Sequence, residues 1–150
     1  MKLNRRNFLF GSAAAMTFAT CNTAKAGLRE LKPGEKRRIG MIGCGIQMRS
    51  ALIPQFLGDT ALSKECRDLC RIVAVCDCDP VRAKDAAARV NKAYGDESCV
   101  AVLDFKKIIE DPTIDAVCIA TPDHWHAYMC VEAMKHGKDV YCETPLTFSQ

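Results

Sequence analysis

The chain has 150 residues, 49% of them apolar, and a formal net charge of +3. That length supports one domain with a real core. Residues 1–26 hold four basic residues and no acid, which leaves 17 basic against 18 acidic residues in the remainder and no basic excess to suggest a nucleic-acid partner.

Residues 1–26 read as an export signal. Asn4-Arg5-Arg6-Asn7-Phe8-Leu9 has the form of a twin-arginine motif. An apolar stretch from Phe8 to Ala19 follows, and Ala24-Lys25-Ala26 fits a small-x-small cleavage site. The apolar stretch is too short and too alanine-rich for a membrane span. The expectation is a periplasmic protein carried by the twin-arginine export machinery. Two alternatives stand beside it: an ordinary amphipathic N-terminal helix, and lipoprotein processing at Cys21, where Thr20 is a poor preceding residue.

Residues 27–36 are polar, contain Pro33-Gly34, and read as a linker into a domain spanning 37–150. Arg38–Ile42 is the first predicted strand. Gly43-Cys44-Gly45 follows, then Ile46, Gln47 and a helix over Met48–Leu57 that Pro54 bends or interrupts. A strand feeding a glycine turn at a helix mouth is suited to a phosphate. The helix start leaves N–H groups unpaired and carries partial positive charge, and glycines let a pyrophosphate approach the backbone. The first glycine makes the turn, and the second removes a Cβ that would block the phosphates. The third fingerprint position is Met48 rather than Gly or Ala, so the fingerprint is incomplete.

Gly58–Asp68 reads as a polar loop with a short helical turn, and Arg71–Cys76 as a buried second strand. Asp79-Pro80 starts a helix that ends at about Tyr94 with Gly95 as its stop. Val100–Leu103 is a short third strand. Asp104 caps a short helix to about Glu110, and Asp115–Ala120 is the fourth strand. Pro122 or Asp123 opens a helix through about His136, with Gly137 after it, and Asp139–Cys142 is the fifth strand. This alternation predicts an α/β fold: a doubly wound parallel sheet of Rossmann type, in the order 3-2-1-4-5. The ligand crevice then lies at the carboxyl ends of strands 1 and 4.

Asp77 ends strand 2, where a dinucleotide fold places the acid that bonds the adenosine ribose. It lies 32 residues after Gly45, against a usual spacing of about 20, and the polar insertion at Gly58–Asp68 accounts for the excess. A carboxylate there repels a 2′-phosphate and favours NAD over NADP, although Arg82 is close in sequence. The bland alternative makes Asp77 a turn residue before Asp79. At the switch point, Thr121-Pro122-Asp123-His124-Trp125-His126 gathers two of the three histidines and the only tryptophan. Its bland alternative is a helix start with Thr121 or Asp123 as cap and Trp125 as core. His136 reads as a last-turn residue that suits the helix dipole.

Ten cysteines are present, and nine remain without Cys21, so complete internal pairing of those nine is impossible. Cys76, Cys118 and Cys142 lie in apolar strand runs and read as core. Cys66 and Cys70, four apart, and Cys76 and Cys78, two apart, have no histidine nearby, two of the four sit at a strand end, and no metal site is assigned. In an oxidising compartment, Cys66 and Cys70 are a candidate pair for oxidation.

Ile119-Ala120-Thr121-Pro122-Asp123-His124-Trp125-His126, followed by Gly137-Lys138-Asp139-Val140-Tyr141-Cys142-Glu143-Thr144-Pro145-Leu146, resembles the Gfo/Idh/MocA oxidoreductases. That family includes glucose–fructose oxidoreductase and inositol dehydrogenases. The resemblance runs from about Arg37 to Phe148 and takes in the glycine turn and Val75-Cys76-Asp77-Cys78-Asp79-Pro80. It implies NAD(P) binding and hydride chemistry on a sugar, polyol or related compound. It also implies that Thr121, Pro122, His124, Trp125, Glu143 and Pro145 join Gly43, Gly45, Ile46, Gln47 and Asp77 at the cofactor. Exported members of the family also carry twin-arginine signals.

The chain departs from the family at Met48 and at Glu143-Thr144-Pro145, where the family has Glu-Lys-Pro. In the family that lysine touches the substrate hydroxyl and helps manage its proton. Thr144 has no cation and cannot take that role. No catalytic residue is assigned, and His126 is a minor candidate. Family members continue into a second α/β domain that supplies the substrate pocket, and these 150 residues correspond to the cofactor half. Two rival readings follow: an NAD-dependent glycosidase that uses transient oxidation, and a non-catalytic dinucleotide-binding module. The 150 residues alone are expected to turn over no sugar or polyol.

Overall fold

The computed structural model describes residues 30–59 and 63–147. The predicted export signal, its cleavage site and Cys21 lie outside the described residues, as do the first residues of the linker. Five parallel strands form one sheet: β1 (Arg37–Ile42), β2 (Cys70–Cys76), β3 (Val100–Val102), β4 (Ala116–Ile119) and β5 (Asp139–Cys142). Their order is β3-β2-β1-β4-β5, as the alternating pattern predicts. The helices are α1 (Ile53–Leu57), α2 (Lys64–Leu69), α3 (Pro80–Tyr94), α4 (Lys106–Ile109) and α5 (Asp123–Lys135).

Alternation along the strands sends side chains to two cores. On one face Ile39 and Met41 of β1 pack with Met48, Ile53 and Val90. On the other, Ile42 of β1 and Val117 of β4 pack with Ile108 and Met129. Strand β2 breaks the alternation. Ile39 pairs with Ile72 but Gly40 pairs with Ala74, so Val73 is an extra residue in the ladder. This bulge puts Val73 and Ala74 together on one face and Ile72 and Val75 on the other. Gly40 is obligatory for space: a Cβ there would lie 2.3 Å from Ile108 Cγ2.

The first helix differs from expectation. Ile46 and Gln47 are already helical, and the helix then widens into a π-helical turn, Met48–Leu52, before α1 begins. Pro54 has no N–H to give to the preceding turn. The wider turn instead closes through the Ile53 N–H on the Met48 carbonyl. Helix α3 starts as predicted, with Asp79 Oδ1 accepting from Val81 N at 2.8 Å and Arg82 N at 3.4 Å. It stops at Gly95, whose φ of 75° is left-handed. At α5 neither predicted cap is used. Pro122 occupies the cap position, without a side-chain bond.

A polar network closes the amino ends of the central strands. Asp115 accepts from Arg38 N at 2.8 Å. Lys138, 8% exposed, donates to the Ile114 carbonyl at 2.7 Å and to the Asp111 carbonyl. All nine described cysteines are free thiols, Cys66 and Cys70 included. Cys76 and Cys118 are core residues as expected, whereas Cys142 is half-buried, because β5 is an edge strand.

Candidate functional site

The carboxyl ends of β1, β2 and β4 border a cleft of about 580 Å³. Its floor is the glycine turn. Gly43 donates its N–H to the Cys76 carbonyl at 2.8 Å, which ties the turn to β2. Its φ is 89°, and a Cβ there would sit 2.6 Å from the Ala120 carbonyl oxygen, so this glycine serves the fold. Gly45 differs. A Cβ on it would meet no heavy atom of the chain within 4 Å, and the residue lines the cleft. Met48, at the third fingerprint position, is wholly buried and opens the π-helical turn.

Asp77 lies in the cleft wall at the end of β2, 8% exposed. Its Oδ2 accepts from Cys44 N at 2.8 Å, and its Oδ1 from Asp79 N at 2.9 Å. The turn role set out as its bland alternative is therefore real. Oδ1 also accepts from Cys78 Sγ at 3.6 Å, so the lone pair left for a ligand is on Oδ2, and the turn role and a ligand role are compatible there. Arg82 also lines the cleft and reaches Asp79 Oδ2 at 3.5 Å.

Across the cleft stand Thr121, Pro122 and Trp125. Thr121 Oγ1 is buried without a hydrogen-bond partner among the described residues. Trp125 is 43% exposed and is not core. It belongs to a group of aromatic rings with Phe105, at 6.4 Å and 56°, and Tyr128, at 6.0 Å and 59°. His124 is exposed, its ring 6.0 Å from that of Trp125, and it is not part of the cleft wall.

Ile46 is exposed on the cleft wall. Gln47 Nε2 donates to Glu143 Oε1 at 3.1 Å, which joins the glycine turn to the loop after β5. In that loop Thr144 is exposed, and the Thr144–Pro145 peptide is cis. Neither Thr144 nor Pro145 forms part of the cleft wall. The minor catalytic candidate, His126, is withdrawn. It is 1% exposed, and its Nδ1 and Nε2 lie 2.7 Å and 2.8 Å from the Pro145 and Thr121 carbonyl oxygens. Both nitrogens are taken up by backbone, and none is left for a substrate.

The reading from residues missed Cys78, Leu103, Phe105 and Met129, which complete the cleft wall. The signal was in the topology. Strand β3 lies beside β2, so the residues just after Val102 face the same opening as Asp77.

Burial, with Asp77 adding to it, pushes the Cys44 and Cys76 thiols from 9.0 to about 12. These thiols beneath the turn are inert neutral groups.

Residues 37–150 match the oxidoreductase family Gfo/Idh/MocA, NAD-binding Rossmann fold. The chain belongs to that family. It is 34% identical over 148 residues to a glycosyl hydrolase family 109 protein of Stenotrophomonas maltophilia, covering 94% of this chain and 29% of that one. Among solved structures, levoglucosan dehydrogenase in complex with NADH and L-sorbose is 29% identical, with a TM-score of 0.59, over 75% of this chain and 28% of that one. A 3-ketoreductase from Actinomadura kijaniata in complex with NADP is 26% identical, with a TM-score of 0.58, over 75% of this chain and 31% of that one. The chain thus spans less than a third of the length of each of these relatives. This is a dinucleotide-binding domain of NAD(P)-linked type, and its neighbours divide between the two cofactors.

Proposed function

We propose that this domain binds NAD and belongs to an oxidoreductase that moves a hydride between NAD and a sugar-like alcohol. The observation that carries the reading is the open space at Gly45 in a cleft whose wall also includes Thr121, with its buried, unpartnered hydroxyl. Buried polar atoms without partners are rare, and one facing a cleft suits a ligand. Gly43, Gly45, Ile46 and Gln47 would hold the pyrophosphate. Asp77 would hold the adenosine ribose, with Leu103, Phe105 and Met129 as apolar wall for the base. Thr121, Pro122 and Trp125 would face the nicotinamide half, and His124, Glu143 and Pro145, outside the cleft wall, would flank it at the rim. The bound cofactor supplies hydride acceptance or donation, and the chain supplies binding and orientation.

Asp77 favours NAD over NADP because a second negative charge beside its carboxylate is repelled, and Arg82, which reaches Asp79 through Nε at 3.5 Å, is the cleft residue that works against this preference. Thr144 stands where the family has its lysine, so a proton on the substrate hydroxyl needs another residue in a full-length protein. The chain's only tryptophan lines the cleft, so NADH binding should quench its emission. Titration should show quenching by NADH and weaker binding of NADPH. Absence of quenching, with no heat of binding, would refute the reading.

A second reading is a glycosidase that uses the same cofactor for transient oxidation. The match to the family 109 protein over 94% of this chain favours it. Product analysis on a glycoside, with a protein that includes a second domain, separates hydrolysis from net oxidation. We further infer export by the twin-arginine route. The double change Arg5→Lys/Arg6→Lys should hold the protein in the cytoplasm, and unchanged export of that variant would sink the inference.

A further inference from the structure

His126 is a buried polar side chain at the carboxyl end of the sheet that cofactor binding leaves without a role. It sits in the first turn of α5, yet its ring reaches two loops. The β4–β5 ladder ends at Ile119 and Cys142, with Glu143 N donating to the Ile119 carbonyl at 3.0 Å as its last rung. Beyond that rung the chain turns into the Thr121–Pro122 segment on one side and the Glu143–Pro145 segment on the other. The His126 ring bridges them, Nε2 to Thr121 O and Nδ1 to Pro145 O. Both ring nitrogens thus lie within hydrogen-bond distance of a backbone carbonyl oxygen, one on each loop. The peptide it holds also carries the unpartnered Thr121 Oγ1, whose aim depends on where that peptide is fixed.

We propose that His126 is a positioning residue that sets the spacing of these two loops and, through them, the seat of the nicotinamide half of the dinucleotide. The inference rests on the dinucleotide reading above. A dinucleotide crossing the switch point lies with one nucleotide over β2 and the other over β4 and β5. Asp77 stands at the first place, and the loops His126 joins stand at the second. A group that acts only on the second place is felt by NADH and ignored by ADP-ribose, which has the adenosine, both phosphates and a ribose but no nicotinamide.

The test is calorimetric titration of the 150-residue protein, wild type and His126→Phe, with NADH and with ADP-ribose. The phenylalanine keeps the ring volume and removes both nitrogen contacts. NADH affinity should fall roughly ten-fold and ADP-ribose affinity should stay within about two-fold, as expected for lost orientation at one end of the ligand. His126→Gln, which keeps a donor, should show a smaller loss with the same preference for NADH, and it decides the matter if the phenylalanine variant does not fold. Equal losses for both ligands would mean that His126 is only a structural residue, and unchanged NADH affinity would mean that the loops hold their spacing without it. Either result overturns the proposal and leaves dinucleotide binding intact. Failure of the wild type to bind either ligand overturns the dinucleotide reading, and this proposal with it.

Discussion

The sheet buries polar groups at both ends, for different purposes. At the amino end the chain supplies the partners itself: Lys138 donates to two carbonyls, Asp115 takes the Arg38 N–H, and Arg38 Nη2 donates to Thr113 at 3.4 Å. One N–H, Arg38 Nε, is left over there. At the carboxyl end the leftover group, Thr121 Oγ1, belongs to a residue in the wall of a cleft, and Gly45 leaves space clear in the same cleft. A polar group closed by its own chain contributes to the fold. A polar group turned to an open cleft is available to a ligand. The same fold carries both kinds a few residues apart, so residue type alone does not separate them.

The two ends also titrate in opposite senses. Burial pushes the thiols of Cys44 and Cys76 near the cleft, and of Cys99 and Cys118 in the core, from 9.0 to about 12. Unfolded thiols ionise near 9.0 while the folded ones stay protonated, so their stabilisation is present below pH 9 and is lost as the pH climbs toward about 12. Each thiol can remove up to about 1.4 kcal/mol per pH unit in that window. At the amino end, burial lowers Lys138 below 10.5, against the pull of Asp111 and Asp115. Between that lowered value and 10.5 the unfolded chain holds more protons, so Lys138 alone makes stability rise with pH. These four thiols, joined by Cys70 and Cys142, which burial also raises, outweigh one lysine and give a net fall. Urea unfolding in reducing buffer, at a series of pH values from about 8 to about 10.5, should show the midpoint dropping steeply. Cys44→Ala should flatten the slope by one thiol's share. A flat profile would show that these thiols reach solvent in the folded protein.

The sheet order and most element boundaries were legible because each depends on local signals. Asp79-Pro80 and Gly95 bracket α3, and apolar runs of three to five residues mark β2, β4 and β5. Three features were not legible, and two of them depend on a contact distant in sequence. The bulge at Val73 is set by pairing with β1, and Arg71–Cys76 is equally apolar in either register. The π-helical turn follows from the missing N–H of Pro54, which foretells a break and not its form. The His126 bridge needs the Pro145 carbonyl, 19 residues on, so a histidine beside Trp125 at the switch point looked like a chemical group when it is a tie between loops. Leu103 and Phe105 were passed over for the same reason. Only the adjacency of β3 to β2 brings them to the cleft.

Gly43 and Gly45 sharpen the comparison most, because they are two residues apart and fall on opposite sides of it. Gly43→Ala puts a Cβ at a φ of 89° and within 2.6 Å of the Ala120 carbonyl oxygen, which is backbone and cannot swing aside. Strain at the dihedral and overpacking add to a loss of roughly 3 kcal/mol of stability. Cofactor affinity should fall as well, since the turn must shift from β4 to admit the methyl group. Gly45→Ala meets nothing and needs no left-handed dihedral, so stability should stay within about 0.5 kcal/mol. If the space it fills is where the pyrophosphate rests, NADH affinity should nonetheless drop by roughly ten-fold, the equivalent of about 1.4 kcal/mol. Urea denaturation and tryptophan quenching by NADH, measured on both variants, give the two axes. A Gly45→Ala protein that keeps wild-type NADH affinity would show that the phosphates do not pass over this glycine, and the space beside it would then need another explanation.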